Sequence, residues 1–266
     1  MTCIIVITAH KEKLTPSEEY SLRRCKEILG RHDVVLVCPV GMNTGCYTAL
    51  WSDLAVDAIP PHWQHSYDAF NHLKVHPFLY DRYKNFDYML FHELDALVFS
   101  DKLDFWCDQG FDYIGAPWFE CVEEDVFCGV GNGGFSLRRI SAMRRVARTW
   151  RYIEPAWALV KAIASKQTTK ESFANVLRKL TLGNNFHYFL NDYSGLEDVF
   201  WGRIVPTRFP WYKVAPPEIA LKFSFEARPL ILYAMNDDRL PFCCHAWQKW
   251  HPEFYTHFFP ELAAFR

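Results

Sequence analysis

The chain has 266 residues, half of them hydrophobic, which is enough to bury a large core and makes one large α/β domain the natural expectation. Charge is nearly balanced, 29 basic against 31 acidic residues, so no concentrated basic face and no nucleic-acid partner is expected. Nine cysteines lack the even spacing of a disulfide framework and point to reduced thiols in the cytoplasm, while the apolar run at 2–9 is stopped by His10, Lys11 and Glu12 before it could form a signal peptide or membrane span.

The first strand signal is Cys3–Thr8, a continuous β-branched run of the kind buried on both faces of a parallel sheet. A helix follows: Thr15 is its N-cap, Pro16 its first position, Glu18 completes a capping box and Gly30 stops it. Asp33–Pro39 is a second buried strand, and the β-α-β order argues for a Rossmann-like half. Residues 41–65 read as loop with a short strand at Ala55–Ile59, 66–85 as helix, and 86–99 as the strongest strand signal in the chain. A helix at 101–109, a short strand at 111–115, a glycine-rich turn at 129–134 and a helix at 136–150 with its arginines toward solvent come next. A helical insertion is expected at about 151–190, and the last third is irregular and aromatic.

Four segments carry residue types suited to chemistry. Glu93 and Asp95 stand two apart, so on a strand they share one face. Beyond a strand end of an open α/β sheet, such a pair can hold a hard divalent cation against a diphosphate. A strand-end ion pair or a helix cap explains the same tripeptide. The run Gly131-Asn132-Gly133-Gly134 lets a main chain approach a ligand closely, or simply makes a tight turn. It lacks the lysine and hydroxyl residue of a P-loop. Glu197 and Asp198 open an apolar run: they are the acidic first turn of a helix, or one is a general base toward a hydroxyl, with Asp198 preferred. Cys243-Cys244-His245 has no partner cluster at zinc-finger spacing, and a lone histidine more often completes a core hydrogen bond.

In this order, FDYMLFHELDA at 86–96, DYIGAPW at 112–118, GNGGFSLR at 131–138, the acids at 197 and 198 and PFCCHAW at 241–247 resemble the DUF5672 family, of GT-A glycosyltransferase type. The resemblance implies a GT-A-like mixed sheet flanked by helices and transfer of sugar from a nucleoside diphosphate sugar to a glycan or lipid-linked acceptor, in surface polysaccharide synthesis. It implies Mn²⁺ or Mg²⁺ on Asp95, Glu93 and His245. It places Thr8, His10 and Lys74 on the nucleotide, and Trp118, Asn132, Gly133 and Gly134 around the sugar. Glu197 or Asp198 falls at the base position of inverting enzymes. An inactive nucleotide-sugar or glycan binding module is the alternative. A nucleotidyltransferase is disfavoured because residues 8–12 contain no glycine. The aromatic tail at 247–265 suggests peripheral contact with the inner face of a membrane.

Overall fold

A computed structural model describes residues 1–120, 125–150, 185–191 and 193–265. The expected insertion lies for the most part outside the described residues, which resume with a helix at Phe186–Asn191. β1 (Cys3–Thr8), β2 (Asp33–Pro39) and β3 (Ala55–Ile59) fall where the apolar runs place them. α1 (Pro16–Leu29) carries the full capping box: Glu18 N donates to the Thr15 hydroxyl at 3.3 Å, and Thr15 N donates to the Glu18 carboxylate at 2.8 Å.

The 66–85 segment is two helices, α3 (Tyr67–Val75) and α4 (Pro77–Arg82), because Pro77 cannot continue the first. A short helix, α2 (Gly45–Leu50), precedes them in the segment read as loop. The 86–99 run is not one strand. β4 (Tyr88–His92) ends before the acids, a turn spans 93–96, and β5 (Leu97–Val98) joins a different sheet. Glu93 and Asp95 therefore do not share a strand face. α5 (Leu103–Asp108) and β6 (Tyr113–Ile114) follow, then a hairpin of β7 (Ala116–Phe119) and β8 (Phe127–Gly131). The segment at 136–150 divides into β9 (Phe135–Arg139) and α6 (Ile140–Ala147). Arg138, expected toward solvent, is wholly buried, because β9 lies inside the sheet between β4 and β6 and residues on both of its faces are covered.

The main sheet runs β3-β2-β1-β4-β9-β6. β3, β2, β1 and β4 are parallel, while β9 is antiparallel to both β4 and β6. The chain is thus a mixed α/β structure with helices around a central sheet, as expected. From β1 the chain moves outward through β2 to β3, then returns to place β4 on the other side of β1. That reversal opens a crevice at the carboxyl ends of β1 and β4, the place where open α/β sheets bind ligands.

Two further strands, β10 (Ser224–Phe225) and β11 (Cys243–Cys244), form a small sheet in the order β10-β11-β5. Around it gathers a second apolar core that includes Trp247, Phe254, Tyr255 and Leu262. Phe99 stacks on Phe259 with centroids 5.4 Å apart. These buried rings of the tail are occupied by packing against the protein itself. Among the described residues no helix is long and apolar enough to cross a membrane. The eight described cysteines are free.

Candidate active site and metal centre

Parallel register sets Ile7 opposite His92, so the next residues, Thr8 and Glu93, emerge side by side at the crevice. A cavity of about 210 Å³ opens there, lined by Thr8, His10, Tyr47, Phe70, Glu93 and Asp95 among others. Thr8, His10, Glu93 and Asp95, predicted separately, thus line one cavity. Tyr47 was not anticipated; it lines the cavity, and its hydroxyl donates to the carbonyl of Lys11, another lining residue, at 2.8 Å.

Beside this cavity, Glu93, Asp95 and His245 each offer one ligand atom, all within 4.8 Å of one another. The turn builds the pair: Glu93 N donates to the Gly134 carbonyl at 2.7 Å, and Ala96 N to the Glu93 carbonyl at 3.0 Å. His245 arrives from the small sheet, since β11 pairs antiparallel with β5 just after Asp95. Its Nε2 lies 3.2 Å from Asp95 Oδ1 and 3.9 Å from Glu93 Oε2. The first pair meets at ion-pair distance, yet Asp95 Oδ1 and His245 Nε2 remain buried polar atoms without a hydrogen-bonded partner. Such orphans call for an explanation, and an ion is one.

Charges at the site support one another. Burial drives the His245 pKa down, but the Asp95 and Glu226 carboxylates outweigh it and lift the ring to about 10. Burial likewise raises the Asp95 carboxyl, and His245 together with Lys74 more than offsets this, leaving it below the usual range. A cation would take the place of the Nε2 proton, and two carboxylates with one neutral imidazole suit Mn²⁺ or Mg²⁺, the nitrogen donor favouring Mn²⁺. The residues present therefore fit a divalent cation.

Lys74 is buried and is not among the residues lining the cavity. Its ammonium pairs with Glu93 Oε1, donates to the Gly133 carbonyl at 3.1 Å and lies 3.7 Å from Glu197. It holds one oxygen of Glu93, while the other faces His245. Glu197 is buried too, with Arg138 Nη2 2.7 Å from its Oε2. Asn132 adopts φ of 96° and spends its side-chain oxygen on the amides of Gly134 and Phe135, at 3.0 and 3.1 Å. Its carboxamide thus shapes the turn. Gly133 and Gly134 have no room for a side chain: a Cβ at the first would overlap the Glu197 carboxylate, and at the second the His245 ring. The glycine run lets charged groups pass against the main chain.

Across the cluster lies a second cavity of about 620 Å³, lined by Trp118, Leu196, Asp198, Arg203, Glu226 and Trp250 among others. Trp118 lies flat against Gly131, where a Cβ would enter its ring. Asp198 faces this space, its Oδ2 accepting from Asn132 N at 3.0 Å. Glu226 belongs to both regions, because it lines this cavity and its Oε1 lies 3.1 Å from His245 Nδ1. Asp95 lines the smaller cavity and Glu226 the larger one, and His245 stands between the two carboxylates. Of the predicted residues, Trp118 and Asp198 meet on the larger cavity, and Lys74, Glu197, Asn132 and Gly133 line neither. Glu226 and Arg138 were missed as site residues; only their place beside the small sheet and on β9 reveals them.

Fold and site together define an α/β protein with a candidate metal centre at a topological switch point between two cavities. The chain belongs to the DUF5672 family, described as a protein of unknown function, whose profile matches residues 53–245. No curated protein matches it closely enough to serve as a relative. Among solved structures it is similar to mouse xyloside xylosyltransferase 1 in its apo form, at 11% identity and a TM-score of 0.48 over 92% of this chain and 97% of that one. It is also similar to core-mannan synthase A of Aspergillus fumigatus in an Mn/GDP form, at 10% identity and a TM-score of 0.47 over 80% and 72%. Likeness at this level carries no chemistry across, and the reaction is read from this chain's own side chains.

Proposed function

We propose that the chain is a metal-assisted glycosyltransferase that moves a sugar from a nucleoside diphosphate sugar to a hydroxyl of a glycan or lipid-linked acceptor. The observation that carries this reading is the cluster of Asp95, Glu93 and His245 standing between a narrow cavity at the sheet's switch point and a wider, aromatic one bearing Asp198. A divalent cation held by those three residues would neutralise the charge that develops on a departing diphosphate.

The remaining roles fall to the protein. Thr8, His10 and Tyr47 wall the cavity for the nucleotide. Lys74 holds Glu93 by one oxygen and keeps the other turned to the cluster. Trp118 offers a ring face to the acceptor sugar. Asp198 takes the proton of the acceptor hydroxyl as that oxygen bonds to the anomeric carbon. The bond from that carbon to the diphosphate oxygen breaks, and its electron pair stays on the diphosphate. One displacement with a protein base inverts the anomeric centre.

A panel of nucleotide-sugars with and without Mn²⁺, read by thermal shift and donor turnover, tests the reading. Stabilisation by at least one donor that depends on Mn²⁺ is expected. Asp95→Asn should reduce donor turnover by at least about a hundredfold while the protein melts as the native chain does. Near-native turnover in that variant would refute the metal assignment, and a product of retained configuration by proton NMR would remove the base role of Asp198. Binding of a donor without any turnover would instead favour a binding module.

A further inference from the structure

Parallel pairing of β10 with β11 sets Ser224 opposite Cys243 and Phe225 opposite Cys244. One step further along both strands come Glu226 and His245, and His245 N donates to the Phe225 carbonyl at 2.9 Å to hold that step in register. The Glu226 carboxylate thereby reaches the imidazole, with Oε1 3.1 Å from Nδ1. A carboxylate can only accept, so Nδ1 must carry the hydrogen of this contact. In the neutral ring the lone pair is then on Nε2, the nitrogen directed at Asp95 and Glu93. His245 has little freedom to choose otherwise. Its side chain is 13% exposed, and the Cα of Gly134 packs against the ring where a Cβ would overlap it.

We propose that Glu226 is the positioning residue of the metal centre: it fixes the tautomer and the ring orientation of His245 so that Nε2 is presented as a ligand. The proposal rests on the cation reading of the Asp95, Glu93 and His245 cluster. It adds a residue that contributes no ligand atom to the cluster and governs one that does. Carboxylates hydrogen-bonded to the remote nitrogen of a ligating histidine raise its basicity and hold its aim, and losing one typically weakens metal binding by about 10- to 100-fold. Glu226 also lines the larger cavity, so the same side chain stands between acceptor and cation.

The test is a titration of the metal-stripped full chain with Mn²⁺ alone, followed by EPR of the free ion, on the native protein and on Asp95→Asn, Glu226→Ala and Glu226→Gln. Melting in chelator is recorded for each. Asp95→Asn and Glu226→Ala should each bind Mn²⁺ at least about tenfold more weakly. Glu226→Gln keeps an oxygen that accepts from Nδ1 and should fall between the native chain and Glu226→Ala. A merely structural role would lower the melting temperature without changing affinity in the folded protein. Native affinity in Glu226→Ala, with weakened binding in Asp95→Asn, overturns this proposal and leaves the metal centre standing. Native affinity in Asp95→Asn, or no binding by the native chain, overturns the metal reading and this proposal with it. Should Glu226→Ala fail to fold, Glu226→Gln decides: affinity indistinguishable from native overturns the proposal, and clear weakening supports it.

Discussion

Replacing Glu197 with Gln and Asp198 with Asn separates two adjacent acids that the sequence leaves equivalent. Glu197 is buried against a buried arginine, with the Arg138 Nη2 contact at 2.7 Å and side-chain exposures of 0% and 2%. Neutralising the acid strands a guanidinium that water cannot reach. Breaking such a buried pair costs about 3–5 kcal/mol. The Glu197 oxygen 3.7 Å from Lys74 adds a second cation that loses part of its compensation. At about 2–4 °C per kcal/mol for a chain of this size, Glu197→Gln should melt roughly 6–20 °C below the native protein. Asp198 is half-buried and accepts amide hydrogens from Asn132 and Val199, one on each oxygen; Asn can keep one of them, so Asp198→Asn should cost only about 1–2 kcal/mol. Its loss should appear in turnover, by about a hundredfold or more if the carboxylate is the base. Urea unfolding followed by circular dichroism, alongside donor-acceptor turnover, reads both. A Glu197→Gln loss below about 1 kcal/mol, or an Asp198→Asn loss above about 3 kcal/mol, would show that the division of labour is wrong.

Two other outcomes follow from contacts near the site. Gly134→Ala should weaken Mn²⁺ binding by about tenfold or more, because its Cβ would displace the His245 ring; isothermal titration giving native affinity would show that the ring is not held there. Acid stability should depend on His76. Its Nδ1 accepts from Phe78 N at 3.1 Å as the N-cap of α4, and burial, aided by His72, lowers its pKa to about 4. The unfolded chain, with a histidine pKa of about 6.5, binds more protons between those values, so this contribution to stability declines as the pH falls from about 6.5 toward 4. His76→Asn keeps a capping oxygen without the titration and should flatten that slope in urea midpoints taken across the range. An unchanged slope would assign the acid sensitivity to other groups.

The parallel half of the fold was legible because each of its elements is long enough to show its period. β1 and β2 are continuous β-branched runs, and the Thr15 and Glu18 pair marks the start of α1 with two mutual hydrogen bonds. In the antiparallel half only β6 was legible, as the short strand at 111–115. β9 was absorbed into a helix because Phe135, Ser136, Leu137 and Arg138 alternate over too few residues, and Arg138 breaks the apolar pattern by being buried. Its charge fits there only because Glu197, 59 positions away, supplies a counterion. No local pattern carries that information.

The site divides along the same line. Asp95 and Glu93 were found by residue type at a strand end, although a turn places them and not strand alternation. His245 entered by resemblance, since a lone histidine signals nothing. Glu226 drew no notice, because β10 and β11 are two residues each and leave no periodic trace. What brings Glu226, His245 and Asp95 together is the pairing of three very short strands that are distant in sequence. Residue 226 meets 245 through the β10–β11 register, and 245 meets 95 through β11 and β5. A ligand set built this way depends on register more than on composition. Shifting β11 by one residue would turn His245 to the opposite face and present Cys244 or Ala246 in its place. The apolar core around Cys244, Phe225 and Trp247 resists that shift, so the packing of the small sheet is itself a determinant of the proposed metal centre.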